Sequence, residues 1–143
     1  MSADLDRRTA ELEIEIPFHD VDAMEIVWHG HYVKYCEQVR AVLLRSFDYD
    51  YPKMRESGYS WPVVECHLKY VRSAHYGQRI KIVAELVEYE NRIKIAYLVT
   101  DMASGERMTK ATTVQVAVDM KSGELQFVSP SILFKKLGKE CPS

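Results

Sequence analysis

Between Glu11 and Phe18 apolar and acidic residues alternate without a break: Leu12, Ile14, Ile16 and Phe18 on one side, Glu11, Glu13 and Glu15 on the other. A period of two predicts a strand with one covered face, ending at Pro17, where a missing N–H suits a strand terminus. From Tyr32 to Phe47 the period lengthens. Tyr32, Tyr35, Cys36, Val39, Val42, Leu43 and Phe47 recur at three- and four-residue steps, with Lys34, Glu37, Gln38 and Arg45 between them. That spacing predicts an amphipathic helix, and Gly30 before it permits a tight start. A stretch rich in Tyr, Asp, Pro and Gly, running to Ser60, reads as a loop. Period two then returns in Val64–Tyr70, Ile80–Leu86 and Ile93–Val99, with a hairpin turn at Glu90-Asn91. Ser104-Gly105 marks another turn, Thr109–Val118 is rich in β-branched residues, and Ser122-Gly123 closes a hairpin toward Leu125–Val128. Ser129-Pro130-Ser131 opens a short helix through Leu137.

A helix with a broad apolar face needs a sheet to cover it, so the order strand, loop, one long helix, then antiparallel strands predicts a two-layer α+β domain. An antiparallel sheet wrapped around one long central helix is the hot-dog arrangement. A single domain over residues 10–138 is expected, with residues 1–9 and 139–143 as polar termini.

Composition narrows the function classes. The chain has 143 residues, 47% of them hydrophobic, enough for one core. Its formal charge of −2 supplies no general basic field for nucleic acid. Three cysteines, Cys36, Cys66 and Cys141, are too widely spaced for a paired metal or redox motif and read as buried thiols of a reducing compartment. No apolar run is long enough to span a membrane, and Met1–Arg8 lacks the apolar core of a signal peptide. A soluble, cytoplasmic protein is expected. No Gly-rich phosphate loop, nucleophile elbow or metal-ligand cluster is present in the sequence, so neither metal nor resident cofactor is expected.

The chemistry gathers in His19-Asp20-Val21-Asp22-Ala23-Met24-Glu25-Ile26-Val27-Trp28-His29-Gly30-His31-Tyr32, followed on the helix by Glu37-x-x-Arg40. With Asp20, Asp22, Ile26, Val27, Trp28, His29, Tyr32, Glu37 and Arg40 in matching places, this run resembles the motif of the 4-hydroxybenzoyl-CoA thioesterase family and its short-chain acyl-CoA thioesterase relatives. Tyr70-Val71-Arg72-Ser73-Ala74-His75-Tyr76 resembles a second family segment, and the likeness covers nearly the whole domain. It implies hydrolysis of an acyl thioester, with coenzyme A or acyl carrier protein as part of the substrate and not a cofactor. Asp22 then falls on the catalytic carboxylate, as nucleophile or as general base toward water. Asp20 is not the reacting residue in that pattern. Backbone N–H groups at His29 and Gly30, before the helix, fall on the oxyanion-binding position. The His29 ring is a second catalytic candidate. Trp28 and Tyr32 are expected to contact substrate.

The bland alternatives are a loop-capping role for Asp22 and a packing role for His29 at a dimer contact; His19 and His31 read as solvated or capping groups. Glu37 and Arg40, three residues apart on one helix, are expected to form a weak ion pair, with Glu37 a minor catalytic candidate. Among Lys69, Arg72, Arg79, Arg92 and Lys94, Arg72 and Arg92 are the expected contacts for coenzyme A phosphates. Glu25 stands where relatives often carry Gly, His31 where they carry Asn or Ser, Ser73 where they carry Pro, and Gly77-Gln78 where they carry acidic residues. A hot-dog dehydratase needs a different Asp/Glu–His pairing on the helix. A non-catalytic module binding an acyl thioester or acyl carrier protein is the other class that fits. The family builds its sites between protomers, which implies a homodimer or homotetramer.

Overall fold

The computed structural model describes residues 8–142. In chain order it contains β1 (Arg8–Glu15), α1 (His31–Ser46), α2 (Tyr51–Glu56), β2 (Tyr59–Ser60), β3 (Val63–Tyr70), β4 (Arg79–Glu88), β5 (Ile93–Asp101), β6 (Arg107–Gln115), β7 (Val118–Asp119) and α3 (Ser131–Leu137). Five strands form one sheet in the order β1-β4-β5-β6-β3, with β2 and β7 pairing separately. All pairings are antiparallel. The hot-dog arrangement is therefore present, with α1 as the central helix.

The core sits between α1 and the sheet. Tyr32, Tyr35, Cys36, Val39, Leu43 and Leu44 of α1 are buried, facing Ile80, Ile82 and Ala84 of β4 and Ile93, Ile95, Tyr97 and Val99 of β5, all buried. Each large side chain sealed in this way contributes about 1.5–3 kcal/mol, which outweighs the modest helix propensity of the aromatic residues in α1. The sheet's alternation is clean in β5, whose odd-numbered residues Ile93 to Val99 are buried while their even-numbered neighbours are half-buried.

Several expectations need correction. The helix starts at His31, one residue early, and β1 begins at Arg8, inside the expected polar lead-in, whose residues 1–7 lie outside the described residues, as does Ser143. Phe18 does not continue the inward row: Pro17 ends the extended backbone, a 3-10 turn covers Phe18–Asp20, and Phe18 is exposed. The expected loop to Ser60 contains α2, capped by Asp50, whose carboxylate accepts the Tyr51 N–H at 2.8 Å, with Pro52 in the first turn. Leu125–Val128 forms no strand beyond an isolated bridge from Leu125 to Val118. Of the cysteines only Cys36 is buried; Cys66 and Cys141 are exposed, and all three are free thiols. Among the described residues no helix is long and apolar enough to cross a membrane.

The edge strand β3 is unusual. Seven of its eight residues are exposed, with only Leu68 half-buried, so α1 leaves this edge of the sheet uncovered on both faces.

Candidate active site

The loop between β1 and α1 folds back on itself as a small hairpin. Val21 bridges Val27, the Asp22 N–H donates to the Ile26 carbonyl at 2.9 Å, and the Glu25 N–H donates to the Asp22 carbonyl at 2.9 Å. This is a three-residue connection, in which the residue closing the turn takes the left-handed conformation. That residue is Glu25, at φ 65°. The geometry gives a physical reason for the glycine of the family pattern: the position requires a positive φ, which glycine adopts without steric cost. Val27 and Ile26 then tie the hairpin to the segment after β3, through the Val27 N–H to the Ala74 carbonyl at 2.9 Å and an Ile26–His75 bridge.

Asp22 sits at the start of this turn. Its Oδ1 accepts the Met24 N–H at 2.8 Å, an Asx-type turn that orients the carboxylate. Its Oδ2 has no hydrogen-bond partner among the described residues. One oxygen is thus anchored and the other is open.

Asp20 differs in every respect. It is 1% exposed. Its Oδ1 accepts the Lys34 ammonium at 2.8 Å, and Oδ2 accepts the Tyr35 hydroxyl in a short bond. His19 and His31 lie 3.6 and 3.9 Å from Oδ1. Burial alone would raise its pKa, but the Lys34 and Tyr35 hydrogen bonds and the Lys34 charge outweigh that and hold the carboxyl below its usual range. The same pair pushes the Tyr35 phenol upward, burial first and the Asp20 carboxylate next. Asp20 also accepts the Trp28 N–H on its backbone carbonyl at 3.1 Å. It therefore clamps the hairpin, the segment before the helix and the first turns of α1 together. The motif contained Asp20, but Lys34 and Tyr35 lie fourteen and fifteen residues away, and no local spacing announces the contact.

At the start of α1, the N–H groups of His31 and Tyr32 turn back to the carbonyls of Trp28 and His29. The N–H groups of His29 and Gly30 make no hydrogen bond among the described residues. They are the free donors at the positive end of a sixteen-residue helix. The His29 carbonyl accepts the Tyr70 hydroxyl at 2.9 Å, which fastens this corner to β3; Tyr70 opens the second family-like segment, but no local spacing announces this bond. Gly30 has an ordinary helical φ of −66°, so its small size answers a different need. A Cβ there would lie 2.3 Å from the Trp28 ring, which folds across the helix start and stands edge-on to His31 at 5.4 Å.

The other expected contacts are distributed unevenly. Trp28 is exposed beside His29, at 5.3 Å between ring centroids. Tyr32 is buried, its hydroxyl accepting the Ala74 N–H at 3.2 Å, so in a single chain it packs the site floor and does not present its ring. Arg72 follows β3 near the site and pairs with Glu106 at 3.0 Å, lining a cleft of about 320 Å³ with His75, Gln78 and Asp101. Arg92 pairs with Glu88 at 3.1 Å in the turn before β5. The site instead adjoins the far end of that strand, because Gln78 bonds both the His75 N–H and the Asp101 carboxylate. The two ends of β5 are on the order of 25 Å apart, so one chain does not bring Arg92 to Asp22. The expected Glu37–Arg40 pair is not formed: Arg40 is turned inward, donating to the Tyr51 hydroxyl at 2.8 Å and the Tyr97 hydroxyl at 3.3 Å.

Comparison with known proteins places this arrangement. Residues 16–135 match the model of the thioesterase-like superfamily. YneP of Bacillus subtilis strain 168, provisionally named an acyl-CoA thioesterase, is 30% identical over 111 residues, covering 77% of this chain and 80% of its own. The DHNA-CoA thioesterase from Staphylococcus aureus superposes with a TM-score of 0.74 at 22% identity, over 82% of this chain and 78% of that one. A 4-hydroxybenzoyl-CoA thioesterase in complex with 4-hydroxybenzoyl-CoA superposes at 0.78 and 17% identity, over 91% and 99% of the two chains. The matched stretch runs from Ile16, just past the end of β1, into the closing helix and takes in every residue of the candidate site, and on that evidence the chain is a member of the thioesterase-like superfamily with the hot-dog fold.

Proposed function

We propose that this thioester hydrolase acts on acyl-CoA, with Asp22 as its reacting carboxylate. The observation that carries the reading is the pairing of a half-anchored carboxylate with free donors. Asp22 Oδ1 is held by Met24 while Oδ2 is open, and the same hairpin leads into the free N–H groups of His29 and Gly30. A thioester carbonyl with its oxygen toward those donors develops negative charge where donors and the helix dipole favour it. Asp22 then either attacks the carbonyl carbon, giving a mixed anhydride that water cleaves, or deprotonates the attacking water; both routes expel the thiolate of coenzyme A. The exposed His29 ring is placed to contact the substrate or the water, and Trp28 offers an aromatic wall.

The working unit in this proposal is a homodimer, alone or within a homotetramer. An eight-residue edge strand exposed on both faces is a surface that soluble proteins otherwise keep short, charged or covered. A second β3 lying antiparallel across a two-fold axis would set the partner's Val63 end, the end that Arg92 shares through Gln115, beside the Tyr70–His29 corner. That arrangement gives Arg92 a route to the coenzyme A moiety from the neighbouring protomer, while Arg72 serves from within. A cytoplasmic setting accords with three free thiols.

The test is thiol release from a panel of acyl-CoA and acyl-carrier-protein thioesters. Turnover of at least one acyl-CoA is expected. Saturable binding with no thiol released from any thioester would instead identify a non-catalytic acyl-binding module.

A further inference from the structure

Glu37 and Arg40 of the motif do not pair with each other within one chain. Glu37 is exposed on α1 and makes no hydrogen bond or ion pair among the described residues. Arg40 is 6% exposed, yet no carboxylate of the described residues lies within ion-pairing distance; its partners are two tyrosine hydroxyls. Burial penalises its charge, and the tyrosines offset that. A guanidinium carries five N–H donors, and Arg40 Nη2 is engaged by no group among the described residues. The side-chain atoms that are both sealed and unpartnered among them are Thr109 Oγ1 and Gln115 Oε1, so Nη2 keeps an opening to solvent. A near-buried cation with an open donor and an unpaired anion thus occur one helical turn apart, on the side of α1 left open toward β3.

We infer that Glu37 of one protomer pairs with Arg40 of a second copy of this chain, and reciprocally, so that the two ion pairs fix the register of the dimer. The inference rests on the dimeric reading above and adds to it which residues meet. α1 and β3 run side by side in opposite directions. At one end the Tyr70 hydroxyl reaches the His29 carbonyl and the Tyr70 and Tyr32 rings are 5.3 Å apart; at the other, Trp61 bonds the Tyr49 hydroxyl at 3.1 Å. A two-fold axis through the middle of β3 therefore passes close to the middle of α1. The midpoint of His31–Ser46 falls between Gln38 and Val39, and Glu37 and Arg40 stand equally far to either side of it. Two helices related by that axis are antiparallel, which sets Glu37 level with the partner helix's Arg40 position. In an isologous interface one such contact entails its mirror, so the surface is self-complementary in charge.

Sedimentation of a dilution series tests this. Wild type is expected to be dimeric at micromolar concentration, and Glu37→Lys, which sets like charges face to face, is expected to raise the dimer dissociation constant by about tenfold or more. The weakening should shrink at high salt. Mixing Glu37→Lys with Arg40→Glu chains should restore tight heterodimers, because each mixed contact again joins opposite charges. If Arg40→Glu fails to fold, the salt dependence of Glu37→Lys alone still decides. A Glu37→Lys protein as dimeric as wild type at low salt overturns the ion pair and leaves the dimer standing. A monomeric wild type overturns both. A fully dimeric Glu37→Gln protein without turnover would make Glu37 catalytic, which also overturns the inference.

Discussion

Burial and hydrogen bonding pull the Asp20 carboxyl in opposite directions, and hydrogen bonding wins. A carboxyl held lower in the folded chain than in the unfolded one contributes stability that is complete above the ordinary range, near 3.8. That contribution is lost as pH falls through the lower folded value. Asp20→Asn removes the charge that Lys34 and Tyr35 address. Because Lys34 is 40% exposed and its ammonium can turn to water, the expected loss is about 1–3 kcal/mol, not the full cost of an orphaned buried ion. Thermal midpoints near neutral pH should separate wild type from Asp20→Asn, and the gap should close under acid below the carboxylate range. Equal midpoints at neutral pH would contradict the clamp. At Glu25, φ 65° costs a side chain about 1–2 kcal/mol, against ~0.4–1 kcal/mol of unfolded-state entropy lost to glycine. Glu25→Gly is therefore expected to leave the midpoint unchanged or raise it slightly, and Glu25→Val to lower it, since a β-branched residue tolerates a positive φ least.

The start of α1 depends on Trp28 lying across Gly30. Gly30→Ala, at 2.3 Å from the ring, should cost ~1–3 kcal/mol by overpacking. In a Trp28→Ala background the same change should be close to neutral, because the ring is gone and the helical φ of −66° at Gly30 accepts alanine without strain. Additive effects in that cycle would show that the ring does not pack there. The sequence made the elements themselves legible: the shift from period two to 3.6 and back located α1 and β3 to β5 within a residue or two, and β1 and β6 within three. Asp50 and Pro52 also signalled α2, but aromatic and glycine neighbours read as loop. Other features left no local trace. The Asp20–Lys34–Tyr35 clamp and the Tyr70–His29 bond join residues far apart in sequence, and α1's geometry turned Arg40 inward from the Glu37 that helical spacing offers it. Leu125–Val128 carried strand-like residues, yet only Leu125 found a partner strand, so the alternation went unused.

For the molecule as a whole, the proposed catalytic residues lie on an open corner, walled by exposed Trp28, Met24 and Tyr70 and bordered by the uncovered β3. A second chain across that edge would close the pocket, exclude water around Asp22 and strengthen its interactions. Activity should accordingly fall on dilution through the dimer dissociation constant, and turnover per chain that stays constant in the monomeric range would refute a shared site. The most direct test of the reacting carboxylate is single-turnover hydrolysis of a bound acyl-CoA by dimeric Asp22→Asn. Asparagine keeps the carbonyl that accepts the Met24 N–H, so the hairpin, the thermal midpoint and substrate affinity should persist. The cleavage rate should drop by about 10² to 10⁴. An Asp22→Asn protein that cleaves at the wild-type rate would contradict the assignment, as would a loss of rate matched by a loss of folding.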